Sequence, residues 1–167
     1  MRPSLLALAL AGATACACAQ PARAPGKSDL PVPPPLRTQG LVPVEVAGTS
    51  MRFGVDPASV SVGADSTVRY VIVATSPSGV VNAMYEGLRC GSAEVAVLAY
   101  HNPDSGWSAV AEPKWQPLRN NPPVRHSLAV AQGGACLGDA PNGSAVQIVQ
   151  DLKAPVDRRY ERGGSNR

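Results

Sequence analysis

The chain is poor in rings: one Phe, four Tyr and two Trp among 167 residues. A chain of this composition is built largely from small side chains such as Ala, Val, Ser and Gly. Charge is scarce too, at 16% of residues with a formal net charge of +3. So small and scattered a balance excludes a coiled coil and a basic nucleic-acid arm, and no nucleic-acid partner is expected. Beyond the N-terminal stretch, Pro, Gly or a charge interrupts every apolar run, so no transmembrane span is expected. His101 and His126 are the only histidines and have no carboxylate cluster beside them in sequence. That leaves no metal-site spacing, and both read as surface or capping residues. There is no G-x-S-x-G, no phosphate-binding loop, no G-x-G-x-x-G in strand–helix context and no heme-attachment C-x-x-C-H. No cofactor is implied.

What is present begins with a targeting segment. Met1-Arg2-Pro3-Ser4 is a short basic start, Leu5 to Ala15 is apolar, and Ala17-Cys18-Ala19 before Gln20 offers small residues at −3 and −1. These are the parts of a secretory signal over residues 1–19. The apolar stretch is shorter than the roughly 20 residues a membrane span needs. Small residues also precede Cys16 and Cys18, as in a bacterial lipoprotein signal, with Ala where Leu is usual. Lipidation on Cys16 or Cys18 is therefore the alternative, and it would tether the chain rather than change its fold.

Cleavage after Ala19 leaves two cysteines, Cys90 and Cys136. An even count in an exported chain points to one disulfide. The alternative is a cysteine nucleophile served by His101 or His126, which needs a base within hydrogen-bond reach that nothing local supplies.

Residues 20–40 form a proline-rich leader, with Pro31, Pro33, Pro34 and Pro35 close together. Such a segment favours extended polyproline II and reads as a semi-rigid spacer; the sharper reading is a ligand for an SH3-like envelope partner. Alternating residues begin at Leu41. Val68 to Ala74 is apolar on both sides, as in a central strand covered on both faces. Ser76-Pro77-Ser78-Gly79 is a hairpin connection to a strand starting at Val80, and Gly87 marks a bulge or a close backbone approach. Glu94 to Tyr100 and Trp107 to Ala111 follow as strands. Val124 to Gln132, ended by Gly133-Gly134, suits a short helix. Ala145 to Leu152 suits a further strand or a turn or two of helix. The expected fold is α+β: mainly an antiparallel sheet of five to seven short strands with one short C-terminal helix, stapled by a disulfide.

Met51-Arg52-Phe53, the stretch V-R-Y-V-I-V-A-T-S-P-S-G-V-V-N-A-M-Y-E-G-L-R-C from Val68 to Cys90, Trp115 with Leu118, and Cys136 together resemble the CNP1-like family of small exported Gram-negative proteins. The resemblance runs from about Leu41 to Cys136. It implies an envelope compartment, a domain over residues 41–137 and a family disulfide, and it brings no catalytic residues. Residues 138–167 lie outside the pattern and read as a partly disordered C-terminal extension.

The densest polar group is Asn82, Tyr85, Glu86 and Arg89. One reading is a ligand or partner site in which the Arg89 fork takes an anion. The favoured reading is an internal pair, Glu86 with Arg69 or Arg89, that fixes strand register. Trp107 and Trp115 suit an aromatic recognition surface, but in so ring-poor a domain the favoured reading is that they are its largest core pieces. The function expected is a non-catalytic binding or structural-interaction module in the periplasm, with an envelope protein or cell-wall component as partner. The alternatives are a small envelope hydrolase using Glu86 with Asp65 or Glu94, and a lipoprotein accessory factor anchored to the outer membrane.

Overall fold

The computed structural model describes residues 31–154. Its frame is one long hairpin. Strands β4 (Thr67–Thr75) and β5 (Val81–Arg89) are nine residues each and pair antiparallel from Thr75–Val81 to Thr67–Arg89. Val and Ile along β4 favour the extended chain because branching at Cβ packs well on a pleated surface. The turn between them is closed by Ser76, whose N–H donates to Val80 O at 2.9 Å and whose Oγ accepts from Val80 N at 3.0 Å. Gly79, at φ +86, supplies the left-handed residue that this turn needs.

The sheet grows outward from that hairpin. Strand β6 (Glu94–Asn102) pairs with β5, and β7 (Gly106–Ala109) pairs with β6. On the other side, β2 (Arg52–Val55) pairs with the far half of β4, and β1 (Val42–Val44) pairs with β2. The two-residue strands β3 (Ser61–Val62) and β8 (Gln116–Pro117) add to β4 and β6. Between β2 and β3 the chain steps along β4 through a short 3-10 turn, Pro57–Ser59. Asp56 caps this turn by accepting from Ala58 N, and Ser59 Oγ accepts from Val71 N.

Period-two alternation divides the sheet into two buried faces. Val68, Tyr70 and Ile72 look to the front; Val71 and Val73 look to the back, and all five are nearly or fully buried. The front core adds Leu88, Val95 and Leu118 and is closed by helices. The back core is smaller, with Ala83, Tyr85, Ala96 and Leu98, and Leu36, Leu41, Trp107 and Trp115 pack against it. The pairing of β5 with β6 slips between Tyr85 and Glu86, so Leu98 has no partner across the ladder. Gly87 lies in regular register next to this slip. A Cβ there would meet Trp115 Cη2 at 3.2 Å and Leu98 Cδ1 at 3.2 Å, so the close approach expected at Gly87 is real and the bulge belongs to β6.

The helical cover begins with a 3-10 turn, Pro122–Val124, that runs into α1 (Arg125–Val130) and a π-turn, Ala131–Ala135. Gly134, at φ +142, turns the chain out of this helix. Cys136 then bonds to Cys90 at the end of β5, with Cα atoms 5.6 Å apart across 46 residues of sequence. Strands β9 (Cys136–Leu137) and β10 (Ala140–Pro141) form a small hairpin that leads into α2 (Ala145–Lys153).

The C-terminal part holds two helices where one was expected, and Ala145 to Leu152, open between strand and helix in the sequence, is helical. Ser144 caps α2 by accepting from Gln147 N, and Ile148 and Leu152 are buried on the front core. Two such side chains stabilise the fold by roughly 1.5–3 kcal/mol each. The packed unit therefore continues past residue 137. The stretches 1–19 and 155–167, including Cys16 and Cys18, lie outside the described residues.

Candidate functional site

Glu86 sits in the middle of β5 on the front face, opposite Tyr70 of β4. It is 1% exposed. A carboxylate in so apolar a place is costly unless its oxygens are hydrogen-bonded. Three side chains meet that need. Tyr70 OH donates to Oε2 at 2.8 Å, Ser127 Oγ donates to Oε2 at 2.9 Å, and His126 Nε2 lies 2.8 Å from Oε1. His126 and Ser127 come from α1, so this one carboxylate ties the helix to the hairpin. Phe53 of β2 stacks on the imidazole with ring centres 5.1 Å apart and planes 7° from parallel. Burial first, then the adjacent carboxylate, pushes the Tyr70 phenol well above its ordinary pKa, so it stays a donor.

The favoured pairing of Glu86 with Arg69 or Arg89 is therefore replaced. Alternation places both arginines on the back of the sheet, away from Glu86. Arg69 instead forms an ion pair with Asp65, Nη2 to Oδ2 at 2.6 Å, and holds that carboxyl well below the usual range. Arg89 lies over the Trp115 ring, 3.6 Å from its centroid. His126 is likewise buried, with none of the surface or capping character expected of it.

Asn82, Tyr85, Glu86 and Arg89 do not converge. Tyr85 is buried in the back core and Glu86 in the front core. Asn82 and Arg89 are exposed near opposite ends of β5, about 23 Å apart at the usual strand rise. Of the second carboxylates expected for a hydrolase, Asp65 is held by Arg69 and Glu94 accepts from Ser92 Oγ at 2.7 Å. The residues that complete the Glu86 cluster are Tyr70, His126 and Ser127. One of them was legible: a hairpin closed at Ser76–Val80 puts Tyr70 directly across from Glu86. The other two arrive from 40 and 41 residues away, where no local pattern points back to the strand.

A separate cleft of about 340 Å³ lies over the disulfide, lined by Cys90, Cys136, Leu118 and Leu128 with Arg119 and Asp139. None of its lining belongs to the Glu86 cluster. Among the described residues no group of three or more His, Cys, Asp or Glu could hold a metal, and no helix is long and apolar enough to cross a membrane.

The pattern that defines the CNP1-like family matches residues 22–153 of the chain. The chain belongs to the CNP1-like family. The match reaches from the proline-rich leader to the last residue of α2, so family membership covers both helices as well as the sheet. No curated protein and no solved structure matches it significantly.

Proposed function

We propose that this CNP1-like chain is an exported cell-envelope domain that binds or braces a partner and carries out no reaction of its own. The observation that supports this reading is the state of Glu86. Its two oxygens are occupied by Tyr70, Ser127 and His126, and the side chain is closed off from solvent. A hydrolytic carboxylate must reach a substrate oxygen or a water, with a second carboxyl group across a cleft. Glu86 instead serves as the joint between helix and sheet.

The disulfide is compatible with export, since such bonds persist in oxidising compartments. The signal-like segment over residues 1–19 makes the periplasm the compartment we propose. Lipidation of Cys16 or Cys18 would place the same domain on the outer membrane, and the partner is then an envelope protein or cell-wall component.

The test is turnover. Purified protein and Glu86→Gln are incubated with peptidoglycan fragments and with chromogenic esters and glycosides, at a temperature where both are folded. The expected result is no turnover above buffer for either. Turnover by the wild-type chain that Glu86→Gln abolishes would establish an enzyme.

A further inference from the structure

A piece of the leader packs on the back of the sheet. Residues 31–38 take neither helix nor strand. Leu36 and Leu41 pack on the back core, whose floor is made of small side chains such as Val71, Val73, Ala83 and Ala96. The indole Nε1 of Trp107 donates to the carbonyl oxygen of Pro34 at 2.9 Å, across 73 residues of sequence. His101 meets the Trp107 ring edge-on, with centroids 5.1 Å apart and planes at 85°, which holds the indole in place from the next strand.

Each part of this contact suits a proline-rich ligand. A polyproline II segment has no internal hydrogen bonds, so its carbonyls remain free for an outside donor. Prolines offer no N–H that would need a partner, and their rigidity lowers the entropy lost on docking. An aromatic surface with an indole N–H aimed at such a carbonyl is the recurring way in which proline-rich segments are read. Here the bonded carbonyl belongs to the middle of Pro33-Pro34-Pro35, and the apolar side chain that follows it, Leu36, enters the back core.

We propose that the Trp107 face of the sheet is a polyproline-reading site that this chain's own leader occupies in cis, and that a proline-rich extended segment of an envelope partner takes it in trans. The proposal rests on the reading of the chain as a binding module and names the chemistry of its partner. A second copy of the chain is a poorer occupant. Its leader offers the same contacts that the first already makes in cis, where a short tether gives an effective concentration on the order of millimolar. A partner segment with a better fit to the Trp107 indole and the Leu36 position displaces the leader without unfolding the sheet.

The test uses the full chain, labelled with ¹⁵N so that the two indole N–H signals are seen separately. In one variant Pro33, Pro34 and Pro35 become Gly and Leu36 becomes Ser. In a milder one only Leu36→Ser is made. The probe is a synthetic peptide with the sequence of residues 31–38. The peptide should shift the Trp107 signal saturably in the first variant, with an apparent affinity at least about tenfold tighter than in the wild-type chain. In Leu36→Ser the gain should be smaller but in the same direction, which keeps the test decisive if the first variant folds poorly. Adding Trp107→Phe should abolish binding, and the same peptide with its prolines replaced by Ala should not bind. The proposal is overturned if folded leader variants show no saturable shift, or if the Ala peptide binds equally well. It is also overturned if the wild-type chain dimerises at micromolar concentration through its leader. None of these outcomes bears on turnover at Glu86, so the proposal and the non-catalytic reading fail separately.

Discussion

Tyr70 and Glu86 face each other across the β4–β5 ladder, and the phenol donates a 2.8 Å hydrogen bond to the carboxylate inside the front core. The pair is only half of the arrangement. His126 and Ser127 reach the same carboxylate from α1, so helix and sheet are registered to each other by one buried group. Removing one donor leaves the others in place but deprives a buried carboxylate oxygen of a partner. Ser127→Ala should therefore lower the unfolding free energy by about 1–3 kcal/mol. Urea denaturation with an unchanged slope checks it, and a loss under about 0.5 kcal/mol would show that Ser127 is dispensable to the joint.

Stability should fall at both ends of the pH scale, for opposite reasons. The folded Tyr70 phenol titrates well above its ordinary value, while in the unfolded chain it ionises near about 10. Its contribution is thus complete below pH 10 and is lost as pH rises above that point. Tyr85, raised chiefly by burial, acts in the same direction. Asp65 has the other sign. Its hydrogen bonds to Arg69 depress it, so its contribution is present above about pH 4 and is lost as pH falls below it. Urea midpoints from pH 3 to 12 should show a plateau with two limbs. Tyr70→Phe should flatten the alkaline limb. Asp65→Asn should change the acid limb by only a few tenths of a kcal/mol, because the Asp65 side chain is about half exposed and water screens the pair from that side.

The disulfide closes a loop across 46 residues between the end of β5 and the exit of the helical segment. On the chain-entropy view, opening it should cost about 4 kcal/mol. Cys90→Ala together with Cys136→Ala, compared with the wild-type chain by thermal and denaturant unfolding, measures this. A double variant as stable as the wild type would mean that packing of α1 and α2 alone closes the front face.

Gly134 has two reasons to be glycine. Its φ is +142, and a Cβ there would come within 2.7 Å of Asp151 Cβ on α2. Its carbonyl also accepts from Asn142 Nδ2 at 3.0 Å, and the same amide donates to Asp151 Oδ2 at 2.6 Å. Gly134→Ala should destabilise by roughly 2 kcal/mol or more, from backbone strain and overpacking against α2 together. Protection of the α2 amides from hydrogen exchange should fall with it. Equal stability and protection would mean that α2 docks independently of this turn.

How much of this could be read from residue order follows the range of the interactions. The β4–β5 hairpin was legible because its turn, its alternation and its doubly apolar centre are all local. The disulfide was legible because the signal cleavage expected after Ala19 would leave Cys90 and Cys136 as an even pair. Helix α2 was ambiguous, since Ala-Val-Gln-Ile-Val-Gln-Asp-Leu carries β-branched residues that suit a strand equally well, and the Ser144 cap and the front core decide it. The polar cluster was mislocated for a different reason. Asn82, Tyr85, Glu86 and Arg89 are neighbours in sequence, but strand alternation and strand length send them to two faces and two ends. The true partners of Glu86 arrive from a helix whose docking depends on the whole front core.

The most direct test of the view that Glu86 joins the fold together is the unfolding free energy of Glu86→Gln against the wild-type chain at pH 7. Glu86→Gln replaces an acceptor oxygen by an amide NH₂ in a packed cluster where Tyr70 and Ser127 both donate to the carboxylate, so the variant should be less stable by about 2–4 kcal/mol. A variant as stable as the wild type, or more stable, would contradict this. It would mark Glu86 as a residue kept for chemistry or binding at the expense of the fold.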